Sequence, residues 1–187
     1  FIASARRTYV GDLIQPFLEG GNFEGTNYFF YDLNTKINYR INKNNRLFLS
    51  GYFGRDVLNF SQPARDFVFD LPYGNSTLTA RWNHLFSNKL FMNVIGIYND
   101  YQFEFDGGQD QFAFKLFSGV RDYGAKVDFD YFPNPNHLIK VGMNSTYHEL
   151  VPNTASATSG DVDFETDQNP KYAIENAIYA KDEWKIN

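Results

Sequence analysis

Residues 31–41 read Tyr31-Asp32-Leu33-Asn34-Thr35-Lys36-Ile37-Asn38-Tyr39-Arg40-Ile41. Every odd position is apolar or a β-branched threonine, and every even position is polar. Side chains alternate sides along a β-strand, so one face of this segment seeks an apolar medium and the other seeks water. A helix would scatter the same residues around its circumference. The run Asn42-Lys43-Asn44-Asn45 follows at once, with the residue types that turn a chain tightly.

The same period of two recurs on both sides of this segment. In 46–60, Leu47, Leu49, Gly51 and Phe53 share a face, and Arg46, Ser50, Tyr52 and Asp56 share the other. Residues 75–86 align Leu78, Ala80, Trp82 and Phe86, and the strand reaching 105 aligns Leu90, Met92, Val94, Gly96 and Tyr98. From 112 onward Tyr123, Ala125, Val127, Phe129 and Tyr131 lie opposite Lys126, Asp128 and Asp130, and then Ile139, Val141, Met143 and Tyr147 lie opposite Lys140, Asn144, Thr146 and His148. With 1–9 and 171–187, whose facing is ambiguous, these make eight expected strands and no helix beyond a short turn near 13–18. The connections alternate in expected length: long at 10–26, 61–74 and 151–169, short at 42–45, 87–88 and 133–136, with 106–111 between.

Composition bounds the medium. Phe, Tyr and Trp make up 19% of the 187 residues, yet mean hydropathy is −0.46, so apolar groups are interleaved with polar ones. No stretch approaches the ~20 apolar residues of a spanning helix, and so many aromatics exclude a disordered tail. The net charge of −5 disfavours nucleic acid as a partner. Absence of cysteine removes disulfides and thiolate metal sites. Arg6-Arg7 is followed by no apolar run, so it is not read as an export signal.

Spacing along the apolar faces points to a bilayer. Tyr31 and Tyr39 are eight residues apart, as are Tyr123 and Tyr131. At about 3.3 Å per residue this is roughly 26 Å along the strand, or roughly 20 Å along the normal for a tilt near 40°. An outer-membrane barrel has an apolar band of about 25 Å between aromatic girdles, with short turns at one rim and long loops at the other. The expected fold is therefore all-β: an antiparallel transmembrane β-barrel segment of about eight strands.

The residues also carry a resemblance. The run 1–9 with Asp12-Leu13 and Pro16-Phe17, then Tyr31-Asp32-Leu33-Asn34, 46–56 (Arg46-Leu47-Phe48-Leu49-Ser50-Gly51-Tyr52-Phe53-Gly54-Arg55-Asp56), Arg81-Trp82-Asn83-His84, Phe132-Pro133-Asn134-Pro135-Asn136-His137 and 179–186 resemble the early barrel of TonB-dependent receptors of Bacteroidetes. The likeness runs along essentially the whole chain, through the order and spacing of these segments together. It implies a 22-stranded outer-membrane barrel closed around an N-terminal plug, importing a scarce or bulky ligand (siderophore, glycan, cobalamin or peptide) with energy transduced by TonB. Implied partners are outer-membrane lipid, the protein's own plug and the TonB complex; many such receptors also work with a surface lipoprotein lid. Both ends fall in or beside strands, so residues 1–187 are expected to be part of one such barrel domain. A complete eight-stranded barrel with a structural or adhesion role, in which 1–9 would pair with 171–187, and a soluble β-sandwich binding module stay open as alternatives.

No catalytic, cofactor-binding or metal site is expected, and the ligand-binding residues are unknown at this stage. Asp161, Asp163, Glu165 and Asp167 alternate like a calcium loop, but Thr166 and Tyr172 stand where such a loop needs Gly and Glu. His84, His137 and His148 match no metal spacing, and no Ser/His/Asp arrangement supports an enzyme. Asp128 and Asp130, like Asp32, Lys36 and Arg40, read as lumen wall. The aromatics of 61–74 and of 101–105 are the candidates for ligand contact, with girdle or loop packing as the plainer account.

The facing is testable in the protein assembled into lipid vesicles. Val94→Arg, which puts a cation on the lipid side, is expected to cost roughly 2–4 kcal/mol of unfolding free energy or to block assembly. Asn34→Arg on the lumen side is expected to be tolerated. Equal damage from both would overturn the facing.

Overall fold

A computed structural model describes residues 1–160, 162–166 and 169–186. Nearly all of them lie in one antiparallel sheet. The strands are β1 (Ile2–Arg7), β2 (Asn27–Arg40), β3 (Asn45–Gln62), β4 (Phe67–Ser87), β5 (Leu90–Gln109), β6 (Phe112–Asn134), β7 (His137–Ser159), β8 (Val162–Glu165) and β9 (Lys171–Trp184). Each pairs with the next from β1 to β8, and β9 also pairs with β7. β8 and β9 are one interrupted strand: Glu165 opposite Ser156 and Lys171 opposite Leu150 belong to the same register. Between them the amide N–H of Thr166 donates to Ala155 O at 2.8 Å, and its hydroxyl accepts the N–H of Ala155 at 2.7 Å. Counted so, eight hairpin-linked strands match the number expected from the alternation.

The sheet has no second layer. Met92 is its one buried large hydrophobic residue among those described, while Leu33, Ile37, Leu78, Val141, Met143 and Ile178 are exposed. A compact chain of 21.7 kDa would expose roughly 9,200 Å²; this one exposes 12750 Å². A soluble sandwich would bury one face of each strand against a facing sheet, and among the described residues the apolar face meets no second sheet.

Register lines that face up across the strands. Val94 is opposite Val127, Val127 opposite Met143, and Met143 opposite Ile178. On the upper side Tyr98 is opposite Tyr123 and Tyr123 opposite Tyr147, with ring centroids 5.3 and 6.4 Å apart. Tyr172 stacks on Tyr147 at 5.9 Å and carries the row onto β9. The facing of β9 is thereby fixed: Tyr172, Ile174, Ile178 and Trp184 join the outward apolar side, and Glu175, Tyr179, Lys181 and Glu183 face inward.

The tyrosines also give the tilt. Tyr31 leads through Arg55, Gly74 and Gln102 to Gly119 on β6, four residues above Tyr123. Taken as one interface, this is a shift of one residue for each of four steps, about 3.3 Å along for about 4.8 Å across. The strands then tilt by about 35°, within the range of membrane barrels.

Three expected loops are corrected. Residues 61–74 are strand except around a 3-10 turn at Pro63–Arg65. β5 and β6 run through most of 106–111, leaving a tight turn after Gln109. β7 and β8 occupy much of 151–169. Each upper hairpin closes on one residue in the left-handed region, Asp66 at φ 48°, Asp110 at φ 53° and Gly160 at φ 58°, a conformation that Gly and Asp tolerate best. Pro152 falls where β6 and β7 shift register between Phe117 and Gly119, at a bulge that needs no ladder donor. The short turn expected near 13–18 is a helix, α1 (Val10–Leu18), against β2, with Leu13 and Phe17 exposed.

At the opposite rim each turn is stitched by one side chain. Asn42 Oδ1 accepts the N–H of Asn44 and Nδ2 of Asn45, both at 2.9 Å. Ser87 Oγ accepts the N–H of Lys89 at 3.2 Å, and Asn134 Oδ1 that of Asn136 at 3.0 Å. Asn42→Ala is expected to lower the unfolding free energy by about 1 kcal/mol, read from urea unfolding in lipid vesicles. An unchanged midpoint would mean the strands alone hold the turn.

Candidate functional site

β6 has 23 residues, roughly 76 Å along the strand at about 3.3 Å per residue, or about 60 Å of height at this tilt. The apolar band is only about 25 Å tall. The short turns lie close under the band, so the excess stands above it, as a wall rising beyond the upper tyrosines.

Along that wall the two faces exchange polarity. Outward positions become charged: Arg121 bonds Asp100 at 3.0 Å and Glu149 at 3.5 Å, Lys115 lies 3.6 Å from Asp106, and Arg55 3.9 Å from Glu104. Asp100 holds the Arg121 guanidinium even more firmly protonated than usual. Such pairs at a wet surface stabilise by at most about 1 kcal/mol each, and they mark this side as water-facing. Inward positions become apolar. β3 contributes Leu58 and Phe60, β4 Phe67, Phe69 and Leu71, β5 Tyr101, Phe103 and Phe105, and β6 Phe114 and Leu116.

The rings touch across the strands. Phe60 stacks on Phe69 with centroids 4.9 Å apart, Phe69 meets Phe105 at 5.3 Å, and Phe105 meets Phe114 at 5.9 Å. Phe23, in the segment before β2, reaches Phe60 at 5.7 Å. Gly107 stands between Phe69 and Phe114 in the ladder, and a Cβ there would lie 3.1 Å from Cβ of Phe69. The missing side chain leaves the rings room to close up.

Below the rings sits one carboxylate. Tyr28 Oη donates to Asp56 Oδ1 at 2.8 Å, and Tyr73 stands opposite Asp56 in the ladder. The bond to Asp56, helped by burial, pushes the Tyr28 phenol up to about 12. Burial first, then the charge of Asp56, also raises that of Tyr73. Arg6 bonds the buried Asp32 and lies over Phe30, 5.2 Å from its centroid.

Within the bilayer the inward face is a separate, polar surface. A cavity of about 450 Å³ lies among Phe1, Lys36, Phe48, Ser50, Thr79 and Arg81. Lys126 pairs with Asp128 at 3.3 Å, Tyr179 also bonds Asp128, and Lys140 lies 3.7 Å from Asp130. Asp128 and Asp130 thus each answer to a different lysine. Arg40 Nε donates to Asn42 O at 3.4 Å at the lower rim.

The histidines are apart from one another: His84 lies against Asn45 at 2.7 Å, His137 against Asp182 at 2.8 Å, and His148 between Asp122 at 2.7 Å and Glu175 at 3.8 Å. Among the described residues no three metal-ligating side chains converge. Of the acidic alternation, Asp163 and Glu165 lie on β8, opposite Thr158 and Ser156, while Asp161 and Asp167 fall outside the described residues.

The two candidate aromatic groups, 61–74 and 101–105, thus come together on one inward face through Phe67, Phe69 and Tyr73 with Tyr101, Phe103 and Phe105. Sequence reasoning missed Tyr28, Phe60, Phe114 and the place of Asp56 beside them. The spacing of two in Asp56-Leu58-Phe60 and in Phe67-Phe69-Leu71 held the signal, with polarity opposite to the strands below.

The fold is matched among solved structures by the ferric yersiniabactin uptake receptor FyuA from Yersinia pestis. The TM-score is 0.58 at 8% sequence identity, over 84% of this chain and 26% of that one. The chain therefore spans about a quarter of the length of that structure. No family model matches the chain, and no curated protein matches it.

The carboxylate–phenol pair is open to titration. A raised phenol pKa stabilises the fold fully below pH ~10, the ordinary tyrosine value, and the effect is lost as pH rises through about 12. Absorbance titration should show the phenol that ionises at about 12 disappear in Tyr28→Phe and move down in Asp56→Asn. A phenol ionising at about 12 that survives Tyr28→Phe would overturn the assignment.

Proposed function

We propose that the chain is a segment of a TonB-dependent outer-membrane receptor of the Bacteroidetes type, which binds a scarce or bulky ligand outside the cell and admits it past a plug. The carrying observation is the exchange of polarity along single strands: apolar-out across the bilayer, apolar-in above it. The first half fits a wall against lipid, and the second fits a vestibule that takes ligand from water. The fold likeness to a known uptake receptor supports the same reading.

On this reading the chain is part of one barrel domain whose plug and other strands lie elsewhere in the protein. Its work is binding and gated passage, with no bond made or broken, no cofactor and no nucleic acid. The lumen residues Lys36, Arg81, Asp128 and Asp130 face the plug, outer-membrane lipid meets the outward stripe, and TonB supplies the energy. A surface lipoprotein over the vestibule is compatible with this arrangement.

A self-closed eight-stranded barrel fits less well. It needs 1–9 against 171–187, and among the described residues no pairing joins β1 to β9.

The test uses the intact protein in its own cells. It should fractionate with the outer membrane and migrate differently in gels before and after heating. Across iron chelates, cobalamin, glycans and peptides supplied in turn as the limiting nutrient, deletion of the protein and loss of TonB should abolish growth on the same one class. Release into buffer without detergent, or growth indifferent to both deletions on every class, would refute the reading.

A further inference from the structure

The vestibule wall is chemically one-sided, and this bears on what it binds. From β2 to β6, above the upper tyrosines, its inward face carries two carboxylates, Asp56 and the Asp122 that lies 2.7 Å from His148, and among the described residues no lysine or arginine. Asp56 accepts from the hydroxyl of Tyr28 at 2.8 Å and also from that of Tyr73, which stands opposite it. Arg6, whose charge also reaches Asp56, is held by Asp32. On the same strands the charged residues Arg55 with Glu104, Lys115 with Asp106, and Arg121 with Asp100 point outward and pair, Arg121 reaching Glu149 of β7 as well.

We infer that the ligand of this wall is a cationic amphiphile, with an aromatic or apolar body that lies on Phe60, Phe69 and Phe105 and an amine or guanidinium group that meets Asp56. This rests on the receptor reading and narrows it. The rings supply apolar area and stacking, and a carboxylate at the edge of an apolar wall favours an approaching cation more than one in bulk water does. An anionic ligand would lose its hydration there and find only the charges of Asp56 and Asp122. Carboxylated or sulfated glycans and anionic chelates are thus disfavoured at this wall.

The experiment uses the full-length protein in detergent micelles and two fluorescent probes of matched shape, Phe-Arg-β-naphthylamide and Phe-Glu-β-naphthylamide. The arginine probe is expected to bind at least tenfold more tightly. Asp56→Asn should bring the two within about threefold of each other. Tyr28→Phe, which removes one of the two phenols bonded to the carboxylate, should leave the arginine probe bound as tightly or more so. Phe69→Ala should weaken the arginine probe while keeping whatever preference for charge remains. Heat-dependent gel mobility confirms that each variant is folded. Equal affinity for the two probes, an unchanged ratio in Asp56→Asn, or binding of neither probe would each overturn the proposal. Outer-membrane fractionation and TonB dependence judge the receptor reading separately, so a protein that passes those and fails here loses only its ligand class.

Discussion

A strand in hydrocarbon has no water to take its amides, so each backbone group must be met by a neighbouring strand. The rest of the structure depends on that pairing. On the receptor reading it calls for a ladder continuous across the apolar band from β2 to β7, leaves one side chain in two to face each medium, and lets lipid stand where a second layer would otherwise lie. The ladder also fixes which residues share a height, and hence the tilt that the tyrosines report. A protein with no buried core in the usual sense is still tightly specified, because a slip of one residue would turn Val94, Val127, Met143 and Ile178 toward water and Asp128 and Lys126 toward lipid.

Above the membrane the ladder continues while the constraint on side chains reverses. Water now lies on both sides, and the outward face is free to carry ion pairs. The inward face turns apolar where lipid no longer requires it, and nothing in the pairing of the strands asks for that change. Phe60, Phe69, Phe105 and Phe114 sit at half-buried inward positions that asparagine or serine would occupy with less apolar surface in water. Surface of this kind marks interaction.

The transmembrane half was legible because alternation and turn chemistry agree there: Tyr31 to Ile41 against Asn42–Asn45, or Leu90 to Tyr98 after Ser87. The upper half was not, since its local signals mislead. Pro63 marks a true turn, but Pro72, Gly107 and Gly108 also read as breaks, yet Pro72 lies within β4 and Gly107 makes space for rings on neighbouring strands. Whether such residues end a strand is decided by cross-strand partners, which one sequence does not display. For the same reason the pairing of Tyr28 with Asp56, twenty-eight residues apart, could not be seen before the register was known. The join of β8 to β9 in one register was hidden likewise, behind a run of Ser, Thr and Asp.

The tight upper hairpins change the entropy of capture. A vestibule made of floppy loops must be ordered by its ligand, at about 1–2 kcal/mol for each backbone residue fixed. Here the wall is already held by ladders up to Asp66, Asp110 and Gly160, so on the receptor reading a ligand would meet a formed surface and spend little of its affinity on closing the protein around it. Selectivity then lies in individual inward side chains carried by a scaffold that need not move. Such a wall can acquire a new preference by a few substitutions while its strands, register and membrane face stay as they are.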